Sequence, residues 1–293
     1  MSYLIDKNTI KLLRFPFSFF LMPLFLLALS QSGESITDWH VLVSFCIMHI
    51  LVYPSSNGYN SYIDRDEDSI GGLEKPPMPT KKLFYLTLLF DCLAVLLGLI
   101  LFNVFFAVGI LLYALASRAY SAREIRLKKY PFLGFLVVVF FQGGFTYYTC
   151  YAGITNHALE LDSSTIYLLC ACTFQIAGAY PLTQIYQHQQ DLKDGVVTIS
   201  YKLGYIGTFI FTGVMFAITN VWYLLSFSTA NKMNQFYLIQ IFFLPIVIYY
   251  FYWFVKVIKN NKAADFKHTM LMNLIAASCM NGCFLVLYFI NRS

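Results

Sequence analysis

Long apolar runs separated by short polar connections dominate the sequence. A bilayer core about 30 Å thick is crossed by a helix of roughly 20 apolar residues, and runs of about this length recur along the whole chain. Phe102 and Asn103 alone separate the third and fourth runs, which predicts a tight turn there. The pattern predicts nine membrane spans, at about residues 14–30, 38–58, 82–101, 104–119, 132–153, 164–186, 205–227, 236–255 and 269–290.

The composition excludes an ordinary soluble domain. Of the 293 residues, 58% are hydrophobic and 12% are charged, which is typical of an integral membrane protein. The first apolar run lacks a small-residue cleavage site after a short apolar core, so we expect a retained helix rather than a signal peptide. The nine runs are expected to form one domain over residues 1–293.

The basic residues predict the orientation of the chain, because Lys and Arg are enriched in cytoplasmic segments. With a cytoplasmic N-terminus, all Lys and Arg except Lys232 and Arg292 fall in cytoplasmic segments or at the helix ends that adjoin them. We therefore expect a multi-pass protein of a cell membrane, the inner membrane in a bacterium, with the N-terminus inside and the C-terminus outside. The formal charge of +5 needs no nucleic-acid partner, since this bias accounts for it.

The densest acidic cluster follows the second span, in the stretch NSYIDRDEDSIGG at residues 60–72. Asn60, Asp64 and Asp68 are spaced by four residues, so they share one face of a helix that we expect to continue to Gly71 and Gly72. On such a helix, Asp66 and Glu67 point elsewhere and are expected to face solvent. Oxygen ligands in this arrangement suit Mg²⁺, which prefers carboxylates, water and substrate phosphates. The alternative is an acidic helix end exposed to water.

A second acidic stretch, YQHQQDLKDG at residues 186–195, follows the sixth span. Four predicted crossings separate it from the first cluster, so both face the same compartment. Asp191 and Asp194 can then meet the first cluster, and two carboxylate sets are able to clamp a Mg²⁺-bound diphosphate. His188 is a candidate for contact with a phosphate or an acceptor, and an internal hydrogen bond is the alternative.

A basic stretch at residues 117–134 follows the fourth span. Its simplest interpretation is an anchor on the cytoplasmic side of the membrane. The functional alternative is that Arg126 and Lys128 neutralise phosphate oxygens that the metal does not reach. Asp91 is the one acid well inside a predicted span, where a carboxylate is costly, and it is catalytic, protonated or paired within the bundle.

At these residues the sequence resembles the UbiA superfamily of intramembrane prenyltransferases. Asn60, Asp64 and Asp68 match its first motif, N-D-x-x-D-x-x-x-D, in which Ser61 replaces the first Asp. The second motif, D-x-x-x-D, keeps Asp191 but has Gln187 at its first position. Further matches are Arg14 with Pro16, the stretch Tyr120, Ser121, Arg126, Leu127 and Lys128, and the series Gly195, Thr198, Leu203 and Gly204 that follows Asp191.

The resemblance implies an all-α bundle of nine transmembrane helices around a central cavity with cytoplasmic caps. It also implies transfer of a prenyl chain from a prenyl diphosphate to a lipophilic acceptor, with Mg²⁺ as cofactor and the site on the cytoplasmic side. Gln187 brings no charge, which is expected to weaken binding of the second metal ion. The expected catalytic residues are Asp64, Asp68 and Asp191; the expected metal ligands are Asn60, Asp64, Asp68, Gln187 and Asp191; and the expected substrate-binding residues are Arg14, Tyr120, Arg126, Lys128, His188, Lys193 and Asp194.

Alternative functions remain open at this point. A terpene cyclase or a phosphoribosyl-type transferase of the same fold uses the same diphosphate clamp. Ser61 and Gln187, which replace two acids of the motifs, leave room for a degenerate lipid-binding member. A transporter would be expected to carry ionisable residues along a route open to both sides of the membrane, and only Asp91 meets that description.

Overall fold

A computed structural model describes residues 6–292 of the protein, and every regular element in that range is helical. The first helices are α1 (Lys7–Leu13), α2 (Met22–Ser32), α3 (Trp39–Cys46), α4 (Tyr53–Asp64), α5 (Lys81–Leu101), α6 (Val104–Ser121) and α7 (Pro131–Gln142). They are followed by α8 (Gly144–Thr155), α9 (Ser163–Gln184), α10 (His188–Lys193), α11 (Ile199–Thr229), α12 (Met233–Lys259) and α13 (Phe266–Ile290). Short 3₁₀ helices lie at Phe15–Phe20, Leu127–Lys129 and Asn261–Ala263.

The predicted membrane spans correspond to these helices. Within residues 6–292, eight helices are long and apolar enough to cross a membrane, and a bent pair, Lys7–Phe20 with Met22–Ser32, makes up to nine. The two halves of that pair meet at 46°. Arg14, just after α1, adopts a left-handed backbone (φ 52°), which ends the first helix before the apolar α2 begins. The multi-pass helical architecture predicted from the apolar runs is thereby confirmed.

The second span is continuous from α3 to α4 but contains a wider π-helical turn at Ile47–Val52. The turn comes just before Pro54, whose nitrogen has no hydrogen to donate to the helix ladder. Helix α4 ends at Asp64 because Arg65 takes a left-handed conformation (φ 55°) and its N–H donates to the Ser61 carbonyl oxygen at 3.1 Å.

The prediction that this helix continues to Gly71 and Gly72 is therefore wrong. A longer helix would stack Asp64 and Asp68 as like charges one turn apart. It would also add carboxylates to a helix C-terminus, where the helix dipole disfavours negative charge. The chain leaves the helix before these costs arise.

The fifth span is broken in the middle, at Gly143, between α7 and α8. Gly143 is non-helical (φ −99°, ψ −117°) and lies directly against α9. A Cβ added there would lie 2.5 Å from the Val139 carbonyl oxygen and 2.6 Å from the Thr173 Cα. Only glycine allows the backbone to approach this closely.

The connections after α4, α6 and α9 meet at one end of the bundle. Gln187 Nε2 donates to the Ser69 carbonyl oxygen at 3.2 Å, and Gln190 Nε2 donates to Asp66 Oδ1 at 2.6 Å. Arg126, from the connection after α6, pairs with Asp194. These contacts confirm the inference that the two acidic stretches lie on the same side and approach each other.

Asp91 is paired with Arg118 inside the helix bundle. Its carboxylate accepts from Arg118 Nε at 2.9 Å, and Arg118 also donates to Ser55 and Thr87. The guanidinium carbon of Arg118 lies 3.9 Å from the centre of the Tyr59 ring. The pair thus links α4, α5 and α6, and neither member lines the cavity described below. Of the interpretations of Asp91, this placement favours the paired one.

Candidate active site

A cavity of about 310 Å³ lies under the end of the bundle where the three connections meet. Helices α4, α6, α7 and α9 form much of its wall, and the segment around Arg14 closes one side. Charged side chains gather toward the connections, and apolar and uncharged polar side chains line the interior. The charged and amide residues of the mouth are Arg14, Asn60, Asp64, Asp66, Lys128, Gln187 and Asp191.

Helix α4 presents Asn60 and Asp64 to the cavity. Asn60 Nδ2 donates to Asp64 Oδ2 at 2.8 Å and to Ser121 Oγ, at the end of α6, at 3.0 Å. The Lys128 ammonium group lies 2.5 Å from Asp64 Oδ1, and the two side chains are only 9% and 6% exposed. A carboxylate this deeply buried requires a cation, and Lys128 supplies it.

Asp66 faces the cavity, whereas Asp68 does not. Asp66 lines the cavity wall and accepts a hydrogen bond from Gln190. Burial, reinforced by the charge of Asp64, raises the pKa of Asp66 to about 6 against the lowering effect of Lys128 and Arg14. Asp68 and Glu67 are exposed. The prediction that Asp66 faces solvent is wrong, and so is the predicted single face of Asn60, Asp64 and Asp68, because the helix ends at Asp64.

Asp191 approaches from the opposite wall, on the short helix α10. Burial raises its pKa to about 7, and the charges of Asp66 and Asp64 add to that rise while Lys128 opposes it. Asp64, Asp66 and Asp191 are therefore close enough to interact electrostatically. Gln187 also lines the cavity, although its amide nitrogen is bonded to the backbone at Ser69.

Arg14 is the second cation of the cavity wall and is almost fully buried. Its Nη1 donates to the Gly71 carbonyl oxygen at 3.1 Å and its Nη2 to the Asn57 carbonyl oxygen at 3.0 Å. These bonds fix the plane of the guanidinium group beside the acidic mouth. Its Nε is buried without a hydrogen-bond partner.

Several predicted substrate-binding residues lie outside the described cavity wall. His188 is buried, its Nε2 lies 2.8 Å from Ser200 Oγ, and its ring stacks on Tyr205. Burial lowers the pKa of His188 to about 4, so the ring is neutral near pH 7. Arg126 is held by Asp194, and Lys193 is exposed. For His188, the arrangement agrees with the alternative of an internal hydrogen bond.

Tyr120 belongs to a chain of hydrogen bonds on the cavity wall. Its hydroxyl bonds to that of Tyr180 on α9, and Gln184 Nε2 donates to the same Tyr180 hydroxyl at 2.8 Å. Sequence motifs drew attention to Tyr120 alone. Tyr180 and Gln184 are one helical turn apart in α9, a spacing that places them on one face but does not say which side of the bundle they meet.

An apolar compartment of about 270 Å³ adjoins this cavity. It lies among α9, α11, α12 and α13, and its walls include Phe216, Phe243 and Met280. Both spaces share wall residues, among them Ile176 and Ala179 of α9. A polar mouth and an apolar interior therefore lie side by side.

The donor set suits Mg²⁺ only when a ligand completes it. Within residues 6–292, no group of three or more His, Cys, Asp or Glu side chains is arranged to hold a metal by itself. Mg²⁺ usually takes one or two carboxylates together with water and substrate phosphates. Asp64, Asp66 and Asp191, with the amide oxygens of Asn60 and Gln187 nearby, fit that open mode of binding.

The model of the UbiA prenyltransferase family matches residues 20–275. No curated protein sequence matches the chain.

Several solved structures resemble the protein over almost its whole length. A UbiA homolog from Archaeoglobus fulgidus bound to GPP and Mg²⁺ has a TM-score of 0.68 at 15% identity, covering 96% of this chain and 99% of that one. The same homolog bound to DMAPP and Mg²⁺ has a TM-score of 0.66 at 16% identity, covering 97% and 100%. A structure of digeranylgeranylglyceryl phosphate synthase has a TM-score of 0.63 at 16% identity, covering 96% and 98%. At these identities the likeness shows a shared fold.

Proposed function

Because the chain belongs to the UbiA prenyltransferase family, we propose that it transfers the prenyl chain of a prenyl diphosphate to a lipophilic acceptor. The acceptor is an aromatic or similarly activated compound, of the kind used in quinone, haem or pigment synthesis. One observation carries the proposal: three carboxylates and two buried cations line the mouth of a cavity that adjoins an apolar compartment. A prenyl diphosphate has the same division between a charged head and a hydrocarbon tail.

The residues of the mouth divide into two roles. Asp64, Asp66 and Asp191, with Asn60 and Gln187, would hold Mg²⁺ together with the diphosphate. The Archaeoglobus fulgidus homolog of the same fold has been solved with DMAPP and Mg²⁺ and with GPP and Mg²⁺. When bound, Mg²⁺ would stabilise negative charge on the leaving diphosphate.

The two cations at the mouth contact the diphosphate itself. Lys128 and Arg14 line the cavity and would bind oxygens of the diphosphate. We place this mouth on the cytoplasmic side, following the distribution of Lys and Arg.

In the chemical step, one bond to the transferred carbon breaks and another forms. The allylic C–O bond breaks and its electron pair leaves with the diphosphate, while a nucleophilic atom of the acceptor bonds to the same carbon and then loses its proton. Positive charge on the allyl group is shielded from water by the buried cavity wall. Aromatic side chains such as Phe141 and Tyr180 line that wall and can stabilise a cation through their ring faces.

Product analysis tests this function directly. Purified protein in lipid nanodiscs is incubated with labelled prenyl diphosphates of several chain lengths, with and without Mg²⁺ and a panel of phenolic acceptors. A prenylated acceptor that forms only with Mg²⁺ supports the proposal. A cyclic hydrocarbon in the absence of acceptor would instead indicate a cyclase, and binding without turnover would indicate a lipid-binding member of the family.

A further inference from the structure

The interior end of the cavity carries a second polar cluster, far from the acidic mouth. Ser56 of α4, Tyr113 and Ser117 of α6, and Gln142 of α7 all line the cavity. Ser56 Oγ and Ser117 Oγ lie 2.6 Å apart. The Tyr113 hydroxyl interacts with the side chains of Ser56 and Gln142, and Tyr113 is 5% exposed. We call these four residues the inner polar cluster.

The inner polar cluster lies about two helical turns below the carboxylates. Ser56 and Asp64 are eight residues apart on α4, which corresponds to roughly 12 Å along the helix axis. Asn60, bonded to Ser121, lies between them. That separation leaves room for one or two fused rings between the cluster and a diphosphate held at the mouth.

A break in a membrane helix positions one member of the cluster. Helix α7 ends at Gln142, and Gly143 leaves the helical conformation where it contacts α9. Broken helices at membrane depth occur where they are enclosed by protein or line a cavity. The helix break at Gly143 therefore fixes the position of Gln142 at the cavity wall.

Polar groups at this depth are costly unless they are bonded, and a hydrocarbon chain makes no use of them. The adjoining apolar compartment, with Phe216, Phe243 and Met280 in its walls, offers a prenyl tail a better surface. The two parts of the cavity thus suit two different ligands, one apolar and one bearing a polar group.

The chemistry of the cluster also restricts the polar group. Serine, tyrosine and glutamine side chains donate and accept hydrogen bonds and carry no charge. Among the described residues that line the cavity, the two cations, Arg14 and Lys128, belong to the mouth. A neutral hydroxyl or keto oxygen matches this cluster, whereas a carboxylate or phosphate would lack a counter-charge.

We propose that the inner polar cluster binds a neutral hydroxyl or keto oxygen on the acceptor ring, while the prenyl tail occupies the apolar compartment. This assignment rests on the proposed transferase function. It orients the acceptor with its polar substituent inward and its reacting atom toward the diphosphate.

Binding of two matched probes tests the assignment. The protein in nanodiscs is saturated with Mg²⁺ and geranyl S-thiolodiphosphate, an unreactive analogue, and titrated calorimetrically with 2-naphthol and with 2-methylnaphthalene. One buried hydrogen bond is worth up to about 1.5 kcal/mol, so the wild type is expected to prefer 2-naphthol about tenfold. The double variant Tyr113→Phe/Gln142→Leu keeps only Ser56 and Ser117, which bond to each other, and is expected to lose most of this preference.

A matched control variant tests whether the loss of preference is specific to the inner polar cluster. Tyr147 is buried and Gln240 is partly buried, and both lie outside the described walls of the two spaces. The variant Tyr147→Phe/Gln240→Leu should therefore retain the preference. If the first double variant does not fold, Ser117→Ala alone should reduce the preference.

Different outcomes would overturn the proposed function and the assignment of the inner polar cluster. Failure of the wild type to bind the thiolodiphosphate with Mg²⁺ would overturn the proposed function and, with it, the assignment of the inner polar cluster. Normal binding of the thiolodiphosphate, with no preference for 2-naphthol or with a preference that survives in Tyr113→Phe/Gln142→Leu, would overturn the assignment alone.

Discussion

The Lys128 ammonium group lies 2.5 Å from the Asp64 carboxylate, and both side chains are almost fully buried. In the protein without ligand, Lys128 therefore neutralises the carboxylate that we assign to Mg²⁺. Binding of a Mg²⁺-diphosphate gives each partner a new counter-charge, because the metal meets Asp64 and the phosphate meets Lys128. The Lys128–Asp64 pair therefore affects both the stability of the ligand-free protein and its affinity for a Mg²⁺-diphosphate.

Replacing Lys128 with Met should destabilise the ligand-free protein. Removal of one partner of a buried ion pair typically costs about 3–5 kcal/mol, since the other charge is left unpaired. The unfolding temperature should fall, and Mg²⁺ alone should restore part of the loss by binding the freed Asp64. The double variant Asp64→Asn/Lys128→Met leaves no unpaired charge and should be more stable than the single variant. Equal unfolding temperatures for Lys128→Met and wild type would contradict the pairing.

Asp66 should matter more than Asp68 for magnesium-dependent binding of the diphosphate. Asp66 faces the cavity, whereas Asp68 and Glu67 are exposed. Asp66→Asn is expected to weaken the apparent Mg²⁺ affinity, measured by titration in the presence of geranyl S-thiolodiphosphate, by about tenfold or more. Asp68→Asn and Glu67→Gln serve as neighbouring controls and should change it by less than about twofold. A larger effect of Asp68→Asn would indicate that Asp68 is a metal ligand.

Mg²⁺ binding should strengthen as the pH rises through about 6 to 7, because the pKa of Asp66 is raised to about 6 and that of Asp191 to about 7. Metal ligands must lose their protons, so the apparent affinity should rise by up to about tenfold per pH unit for each proton released. Isothermal titration across this window measures the slope. Asp191→Asn should flatten the profile, whereas Glu67→Gln should leave its slope unchanged.

The same two groups give the opposite slope for the stability of the metal-free protein. Their folded pKa values lie above the ordinary 3.8, so the native state keeps protons that the unfolded chain loses. Their stabilising contribution is complete below about pH 4 and disappears as the pH rises to about 7. Thermal unfolding without Mg²⁺ should therefore show a decline over that range that is smaller in Asp191→Asn.

Asp91 should affect stability rather than substrate affinity. Its bond to Arg118 joins three helices outside the cavity. Asp91→Asn is expected to lower the unfolding temperature, by an amount corresponding to about 1–3 kcal/mol for a weakened charge-assisted bond. The KM for prenyl diphosphate should stay within about twofold of wild type. A large rise in KM with unchanged stability would restore a catalytic role.

The spans and the meeting of the acidic stretches follow from sequence for strong physical reasons. A membrane helix needs a long apolar run, and such runs are hard to mistake. An even number of crossings between Asp64 and Asp191 places both at the same end of the bundle. Neither inference requires knowledge of side-chain packing.

The details of the site depend on tertiary structure and could not be predicted in the same way. Four-residue spacing put Asp68 on the face of Asn60 only if the helix continued, and a left-handed Arg65 ends it. Asp66 then turns inward, where Gln190 of another connection meets it. The acidic run at residues 64–68 was the available signal for Asp66, but it does not say which carboxylate faces inward.

The helix break after Gln142 could not be predicted from the sequence for a different reason. Gly143 and Gly144 are adjacent in the sequence, a pattern that favours close helix packing. They did not reveal that the helix would stop there, because the cause is the contact of Gly143 with the α9 backbone. Buried pairs such as Lys128 with Asp64 likewise join segments that are far apart in the chain.

The most direct test of the account is release of diphosphate from labelled geranyl diphosphate by the purified protein, measured with and without Mg²⁺ in the presence of phenolic acceptors. The account predicts release that requires Mg²⁺, falls by at least about a hundredfold in Asp64→Asn and in Asp191→Asn, and stays near the wild-type rate in Glu67→Gln. Absence of Mg²⁺-dependent release from the folded wild-type protein, or release that both cavity variants leave intact, would contradict it.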